Sequence, residues 1–481
     1  MINRNWQCHL DQGEAAAQLH EHSASEANGR QPIGPTSKGQ RTSQGARAKP
    51  QAERMTERSA RSHLYKIKKY RKKILNANNN TKIDIYTNKL NYYERMVGGK
   101  QNDSMYPEPV ETNIKNYRLR DYIDDPIRIK AVGYAAMRVN SKLVPVEFYR
   151  REPSQNEILV RILYCGVCLS DWHSLTGEWT SISFPLIVGY EMTGQIIKIS
   201  RNSTKFKLGN IVGIGPYINS CRQCPRCKSG LEQYCDNHPT SVYDSRERKP
   251  GEIKPTGEKT FGGFSNVITI NEDFAYKIPE NLSLDAAAPL MDAGLTVYSP
   301  LNKYVKPGMT IGISGIGGLG HLAVKIAKAM GNNVVALTTS EWKLADSKRL
   351  GADESVLVTN EKELAKYKNK FDFILSTIPK IDDINMYLDL LAFDGIFCIV
   401  GYFDDVNLNI DSLGKRRKKL VTSSMGSRKD IVDMLEFCSK HNIVADIEKI
   451  PANDIDMTHK RMIDKSIKYR FVVDNTGSFP K

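Results

Sequence analysis

From Ile127 onward the apolar residues follow two different rhythms. Up to about residue 285 they alternate with polar residues in short runs: Ile127 to Tyr134, Glu157 to Tyr164, Val188 to Ser200, Ile211 to Ile214 and Asn266 to Ile270, separated by Gly, Pro and Asn. Period-two alternation turns one face of each run toward a core, so this stretch predicts a β-rich block. From Thr310 the rhythm changes. Short apolar runs (Thr310 to Ser314, Asn333 to Thr338, Glu354 to Val358, Phe371 to Ser376, Gly395 to Val400) alternate with segments of helical character (Leu319 to Met330, Trp342 to Leu350, Asp383 to Leu391). That alternation predicts a doubly wound parallel sheet. A helix, Lys429 to Ser439, and a strand, Tyr469 to Val473, follow it.

The first quarter of the chain has neither rhythm. Residues 1–61 are rich in Ala, Gln, Ser, Gly and Arg and predict a disordered extension. Residues 62–125 shift abruptly to Lys, Tyr and Asn and form a basic arm, with candidate helices from His63 to Leu75 and from Thr81 to Val97. The shift leaves open a translation start at Met55. Residues 1–125 hold 22 Lys/Arg against 14 Asp/Glu, a surplus of 8 out of the chain's +15. Arg61 to Lys73 carries seven basic residues and no acid. Such a run suits contact with nucleic acid or an anionic surface, or a solvated arm without a partner; its Lys/Tyr-rich stretch resembles short arms on some large DNA virus proteins, which implies virion contact. No apolar run is long enough for a membrane span, and no apolar h-region opens the chain. A cytoplasmic protein is expected, or a virion component if the source is a virus.

Candidate chemistry begins with Gly315-Ile316-Gly317-Gly318-Leu319-Gly320, which follows an apolar strand and opens a helix. In that setting the glycines let a backbone turn tightly and approach a pyrophosphate, which the helix N-terminus then attracts. The next strand ends in Thr338-Thr339-Ser340, with Lys343 beyond. Hydroxyls and a cation where an NAD site places a carboxylate favour a ribose 2′-phosphate, hence NADP(H). Ser340 also has the position of a helix cap.

Cys221, Cys224, Cys227 and Cys235 fall within fifteen residues. Four thiolates at these spacings close a tetrahedron around zinc and leave no position for substrate, so they predict a structural zinc.

Together these residues resemble the zinc-dependent medium-chain dehydrogenases, within them the cinnamyl alcohol dehydrogenase group and its bacterial NADP-dependent aldehyde reductases. The resemblance runs over about residues 128–476 and includes Cys165 to His173, the four-cysteine lobe, Ala288-Pro289-Leu290, Gly294 to Pro300, the glycine loop and Lys468-Tyr469-Arg470-Phe471. It implies a GroES-like catalytic domain (126–291, completed by 426–481) and a Rossmann domain (292–425), and it implies a homodimer. It adds Thr296 to the cofactor-binding residues. It also implies a catalytic zinc held by Cys, His and Cys, with a glutamate beside the histidine. Here the first cysteine is Cys168 and the glutamate is Glu191, but the histidine position holds Tyr190 and the second cysteine position holds Asp292. Ser170 and His173 match the family's proton relay, Asp171 matches a supporting carboxylate, and Trp172 and Trp179 match residues bordering the substrate.

Two readings of this altered site stay open. In the first, Cys168, Glu191 and Asp292 hold a catalytic zinc, because thiolate and carboxylate are legitimate ligands, and the substrate is then an aldehyde or alcohol. Alternatively the catalytic metal is lost, Tyr190 donates to the substrate oxygen, and an activated double bond takes the hydride. A catalytically inactive dinucleotide binder is the third possibility.

Overall fold

The computed structural model describes residues 128–179, 182–401 and 406–479. The basic arm, its two candidate helices and the leading extension lie outside the described residues. Strands are β1 Ile129–Ala136, β2 Leu143–Arg150, β3 Glu157–Val167, β4 Glu191–Ile199, β5 Ile211–Ile214, β6 Tyr217–Asn219, β7 Thr240–Ser241, β8 Val267–Asn271, β9 Ala275–Lys277, β10 Thr310–Ser314, β11 Asn333–Thr338, β12 Glu354–Leu357, β13 Phe371–Ser376, β14 Leu391–Ile399, β15 Lys419–Thr422, β16 Ile447–Pro451 and β17 Arg470–Asp474. Helices of at least seven residues are α1 Leu169–Leu175, α2 Ala293–Tyr304, α3 Gly320–Ala329, α4 Trp342–Arg349, α5 Ile384–Leu390, α6 Arg428–His441 and α7 Ile455–Ile463.

The alternating block becomes a seven-stranded sheet in the order β16-β17-β3-β4-β5-β9, with β8 also paired to β3. Its central strand β3 is mostly apolar and mostly buried, broken by the exposed Arg161, and it pairs with β17, β4 and β8. β17 pairs antiparallel with β3, so the C-terminal segment returns to this sheet and Arg470 sits at the edge of the site. β2 was not expected from the pattern. Pro145 interrupts it, and a proline is tolerated because β2 pairs only with β1 in a two-stranded ribbon.

The βαβ stretch forms a six-stranded sheet, β12-β11-β10-β13-β14-β15, with every neighbouring pair parallel. The strand order reverses between β10 and β13, which opens a crevice beyond their carboxyl ends. The doubly wound sheet expected from the sequence is present. The GroES-like and Rossmann parts share an apolar core in which Tyr276, Ile278 and Leu290 pack with Leu322, Ile326 and Tyr469.

Candidate catalytic cluster and cofactor crevice

α3 starts at Gly320, directly after the glycine loop. A Cβ on Gly320 would lie 1.8 Å from the Gly315 carbonyl oxygen, so only glycine lets the loop fold back on itself. His321 anchors the loop from below. Its Nδ1 donates to Gly317 O at 3.0 Å and its Nε2 accepts from Asp446 N at 3.1 Å. Burial holds this imidazole neutral, with its pKa lowered to about 3.

The end of β11 corrects one expectation. Ser340 does not cap α4 with its side chain, and the N-cap position is Glu341. The Thr338 hydroxyl instead accepts from Ser340 N at 3.2 Å, so it is spent on the turn. Thr339 is exposed and Ser340 half-buried beside the crevice. The Lys343 side chain is 8% exposed, and no hydrogen bond or ion pair joins its ammonium to another described residue.

The four cysteines of the lobe converge. Their sulfurs lie within 4.8 Å of one another, with Cys221 and Cys227 Sγ 3.9 Å apart. A tetrahedron with bonds of about 2.3 Å has edges near this length. Cys224 N points at Cys221 Sγ (3.4 Å) and Cys227 N at Cys224 Sγ (3.5 Å), so amide dipoles favour thiolates. Against burial, which raises it, hydrogen bonds from Asn237 and the Cys224 amide bring Cys221 down to about 6. Burial pushes Cys227 up to about 12. All four become thiolates together only around a cation, and zinc suits both the donors and the geometry.

The second cluster is built from distant segments. Cys168 precedes α1, Tyr190 and Glu191 open β4, and Asp292 precedes α2. Donor atoms of Cys168, Glu191 and Asp292 lie within 4.8 Å of one another, and all three residues are buried. Asp171 fixes the loops that carry them. Its two oxygens accept from Cys168 N and Gly189 N, each at 2.9 Å. Tyr190 is buried beside Tyr243, ring centroids 6.0 Å apart, and its hydroxyl has no hydrogen-bond partner among the described residues. Thr296 Oγ1 donates to Asp292 Oδ1 at 3.3 Å, so Thr296 touches this cluster.

Arg470 joins the cluster to the crevice. Its guanidinium, 2% exposed, forms a buried ion pair with Glu191 Oε1. A Cβ on Gly318 would meet Arg470 Nη1 at 2.7 Å, so the glycine loop rests on the same side chain. Arg470 Nε and Glu191 Oε2 are both buried with no hydrogen-bond partner among the described residues. The unpartnered donor faces a crevice suited to a pyrophosphate, and the unpartnered acceptor belongs to a cluster suited to a cation. Burial raises Asp171 to about 7 and Glu191 to about 8, and also raises Asp292, Cys168 and Tyr190. One guanidinium therefore does not balance this many acids, and protons or a divalent cation complete the charge. The donor set fits a cation, though one thiolate and two carboxylates grip zinc less well than imidazole and two thiolates.

Ser170 and His173 lie three residues apart on α1 and so share a face. His173 Nδ1 pairs with Glu178, and its ring stacks on Trp179 with centroids 5.5 Å apart. Trp172 is core rather than pocket wall. It is 1% exposed, stacks on His459 at 4.6 Å and donates to Thr458 Oγ1 at 3.0 Å. Sequence reasoning missed the Glu191–Arg470 pair, the Glu178–His173 pair, His321 beneath the glycine loop, and Tyr243, whose hydroxyl lies 3.2 Å from Ser174 Oγ.

Comparison with known proteins agrees with this architecture. Residues 154–280 match the alcohol dehydrogenase GroES-like domain and residues 318–440 the zinc-binding dehydrogenase domain. A probable zinc-type alcohol dehydrogenase-like protein of Acanthamoeba polyphaga mimivirus is 43% identical over 421 residues, covering 86% of this chain and 99% of that protein. The aldehyde reductase YahK of Escherichia coli is 40% identical, covering 73% and 99%. The CAD structure from Helicobacter pylori, complexed with NADP(H), superposes with a TM-score of 0.68 at 34% identity, covering 73% of this chain and 100% of that one. The two sheets, the crevice between them and these likenesses lead to one assignment: the chain belongs to the zinc-dependent medium-chain dehydrogenases, in their cinnamyl alcohol dehydrogenase group.

Proposed function

We propose that this chain is an NADP(H)-dependent oxidoreductase that interconverts aldehydes and alcohols by hydride transfer. The observation that carries this reading is Arg470, which touches the glycine loop on one side and holds Glu191 of the acid–thiol cluster on the other. The cofactor position and the reacting position are thereby fixed against each other. The structure of the NADP(H)-complexed relative and the aldehyde reductase likeness support the cofactor and the substrate class.

NADP(H), when bound, supplies or accepts the hydride at the carbonyl carbon. Gly315, Gly317, Gly318, Leu319 and Gly320 cradle its pyrophosphate, with Arg470 Nε as a further donor. Thr339, Ser340 and Lys343 face its 2′-phosphate. A divalent cation held by Cys168, Glu191 and Asp292 would polarise the substrate oxygen. Ser170 and His173 carry the alcohol proton toward solvent, and Glu178 holds His173 by Nδ1 so that Nε2 is left to exchange it. Cys221, Cys224, Cys227 and Cys235 hold a structural zinc.

A second reading, a zinc-free reductase of activated double bonds, is favoured by Tyr190. Its hydroxyl adjoins the cluster without a partner, in the position where the family places a metal ligand. A panel of aldehydes and enones with NADPH separates the readings. Aldehyde turnover supports the first, turnover confined to enones the second, and binding without turnover an inactive dinucleotide binder. A homodimer through the open edge of β15, the outermost strand of the Rossmann sheet, fits the architecture. Nucleic-acid or virion contact through the N-terminal arm remains part of the proposal. Among the described residues no helix is long and apolar enough to cross a membrane.

A further inference from the structure

Beside the Thr338 turn, the side chains of two different sheets meet. Trp342 opens α4 and is 41% exposed, a large aromatic left open at the carboxyl edge of β11. Its ring stacks on Tyr469, with centroids 6.2 Å apart at 22°, and Tyr469 stacks on His321 at 4.9 Å and 12°. His321 in turn holds the glycine loop through Gly317 O. This ladder of rings runs from beneath the pyrophosphate loop out to the adenosine end of the crevice.

Two ammonium groups flank its outer ring. Lys343 Nζ lies 5.1 Å from the Trp342 centroid and Lys468 Nζ 5.2 Å from it. Lys343 lies on α4 of the Rossmann part. Lys468 precedes β17 and comes from the segment that returns to the catalytic sheet, two residues before Arg470. Lys468 shares Asp346 with Arg349 and the Tyr469 hydroxyl, whereas Lys343 is buried and makes no ion pair with a described residue, Asp346 acting on it only at a distance. Two cations beside one aromatic, one of them in no ion pair with a described residue, form a site suited to a phosphate-sized anion. Burial, then the nearby Lys465, lower the Lys343 ammonium to about 8, with Asp346 opposing them.

We propose that Trp342 and Lys468 complete the ribose 2′-phosphate subsite, with Lys468 reaching the phosphate from the catalytic part and Trp342 acting as the platform that spaces it from Lys343. Selectivity for the phosphorylated cofactor is then set from both parts of the fold, and the extra phosphate fastens them together. This rests on the NADP(H) reading and extends it to two residues outside the Thr338–Lys343 turn's hydroxyls and lysine.

The test is calorimetric titration of the full chain with 2′,5′-ADP and, separately, 5′-AMP. The wild type binds 2′,5′-ADP more tightly. Lys468→Gln weakens 2′,5′-ADP about tenfold and leaves 5′-AMP unchanged, since one charge-assisted hydrogen bond is lost. Trp342→Ala costs 2′,5′-ADP at least as much, and Lys468→Arg keeps most of the affinity; the unchanged 5′-AMP affinity of Lys468→Gln separates phosphate contact from a mere loss of the Asp346 bridge. The proposal is overturned if the wild-type preference survives intact in Lys468→Gln, or if both nucleotides weaken equally. A wild type with no preference for 2′,5′-ADP would overturn the NADP(H) reading and this inference together.

Discussion

Among the described residues there are two buried clusters of metal-type donors, and they are built on opposite plans. In the cysteine lobe four identical soft donors come from one short segment, amide N–H groups point at the sulfurs, and no substrate could enter. In the catalytic cluster one thiol and two carboxylates come from three separate segments, and a guanidinium already claims one carboxylate. The first arrangement closes around zinc. The second leaves its charge balance to be settled by protons, by a cation or by Tyr190. On the proposed reading the lobe grips its metal more firmly than the catalytic cluster does, because the lobe has no apolar core of its own to hold it.

Breaking each cluster should show the difference. Cys224→Ser should release the tightly held zinc and give the largest fall in unfolding midpoint, read by metal analysis and thermal melts together. Arg470→Gln should cost about 3–5 kcal/mol in denaturant melts, because it leaves Glu191 and Asp292 buried without a counter-charge. An unchanged midpoint would show that the carboxylates are already neutral in the folded protein. Tyr190→Phe should lower kcat on the order of a hundredfold with little change in KM, if the phenol gives its proton during reduction. A KM effect alone would assign Tyr190 to packing. The smallest effect is on cofactor affinity. The Lys343 ammonium, lowered to about 8 by burial and then by Lys465, loses its proton as pH rises. Only the charged form attracts a phosphate, so NADPH affinity should fall about tenfold from pH 7 to pH 9, and Lys343→Met should flatten that slope.

The two clusters also differ in how far they could be read from sequence. The lobe was legible from spacing alone, since its ligands are local. The cluster residues Tyr190, Glu191 and Asp292 were legible only by likeness to a family, because nothing in their spacing brings them to Cys168. The Glu191–Arg470 pair was not legible at all, with 279 positions between its members. The parallel sheet was readable because its apolar runs and helical segments alternate regularly. β2 was not, because Pro145 masks a strand that lies in an isolated ribbon. The capping role expected of Ser340 was misread because α4 starts one residue later, with Glu341 at the N-cap position. Trp172 was placed at the pocket by analogy, yet its stacking on His459 draws it into the core.

The most direct test is zinc per chain after dialysis against a mild chelator, measured on the wild type and on Tyr190→His with Asp292→Cys. The unequal grip of the two clusters predicts close to one zinc for the wild type, retained by Cys221, Cys224, Cys227 and Cys235, and close to two for the double variant. Close to two in the wild type would contradict it, by showing that Cys168, Glu191 and Asp292 hold zinc as firmly as the lobe does.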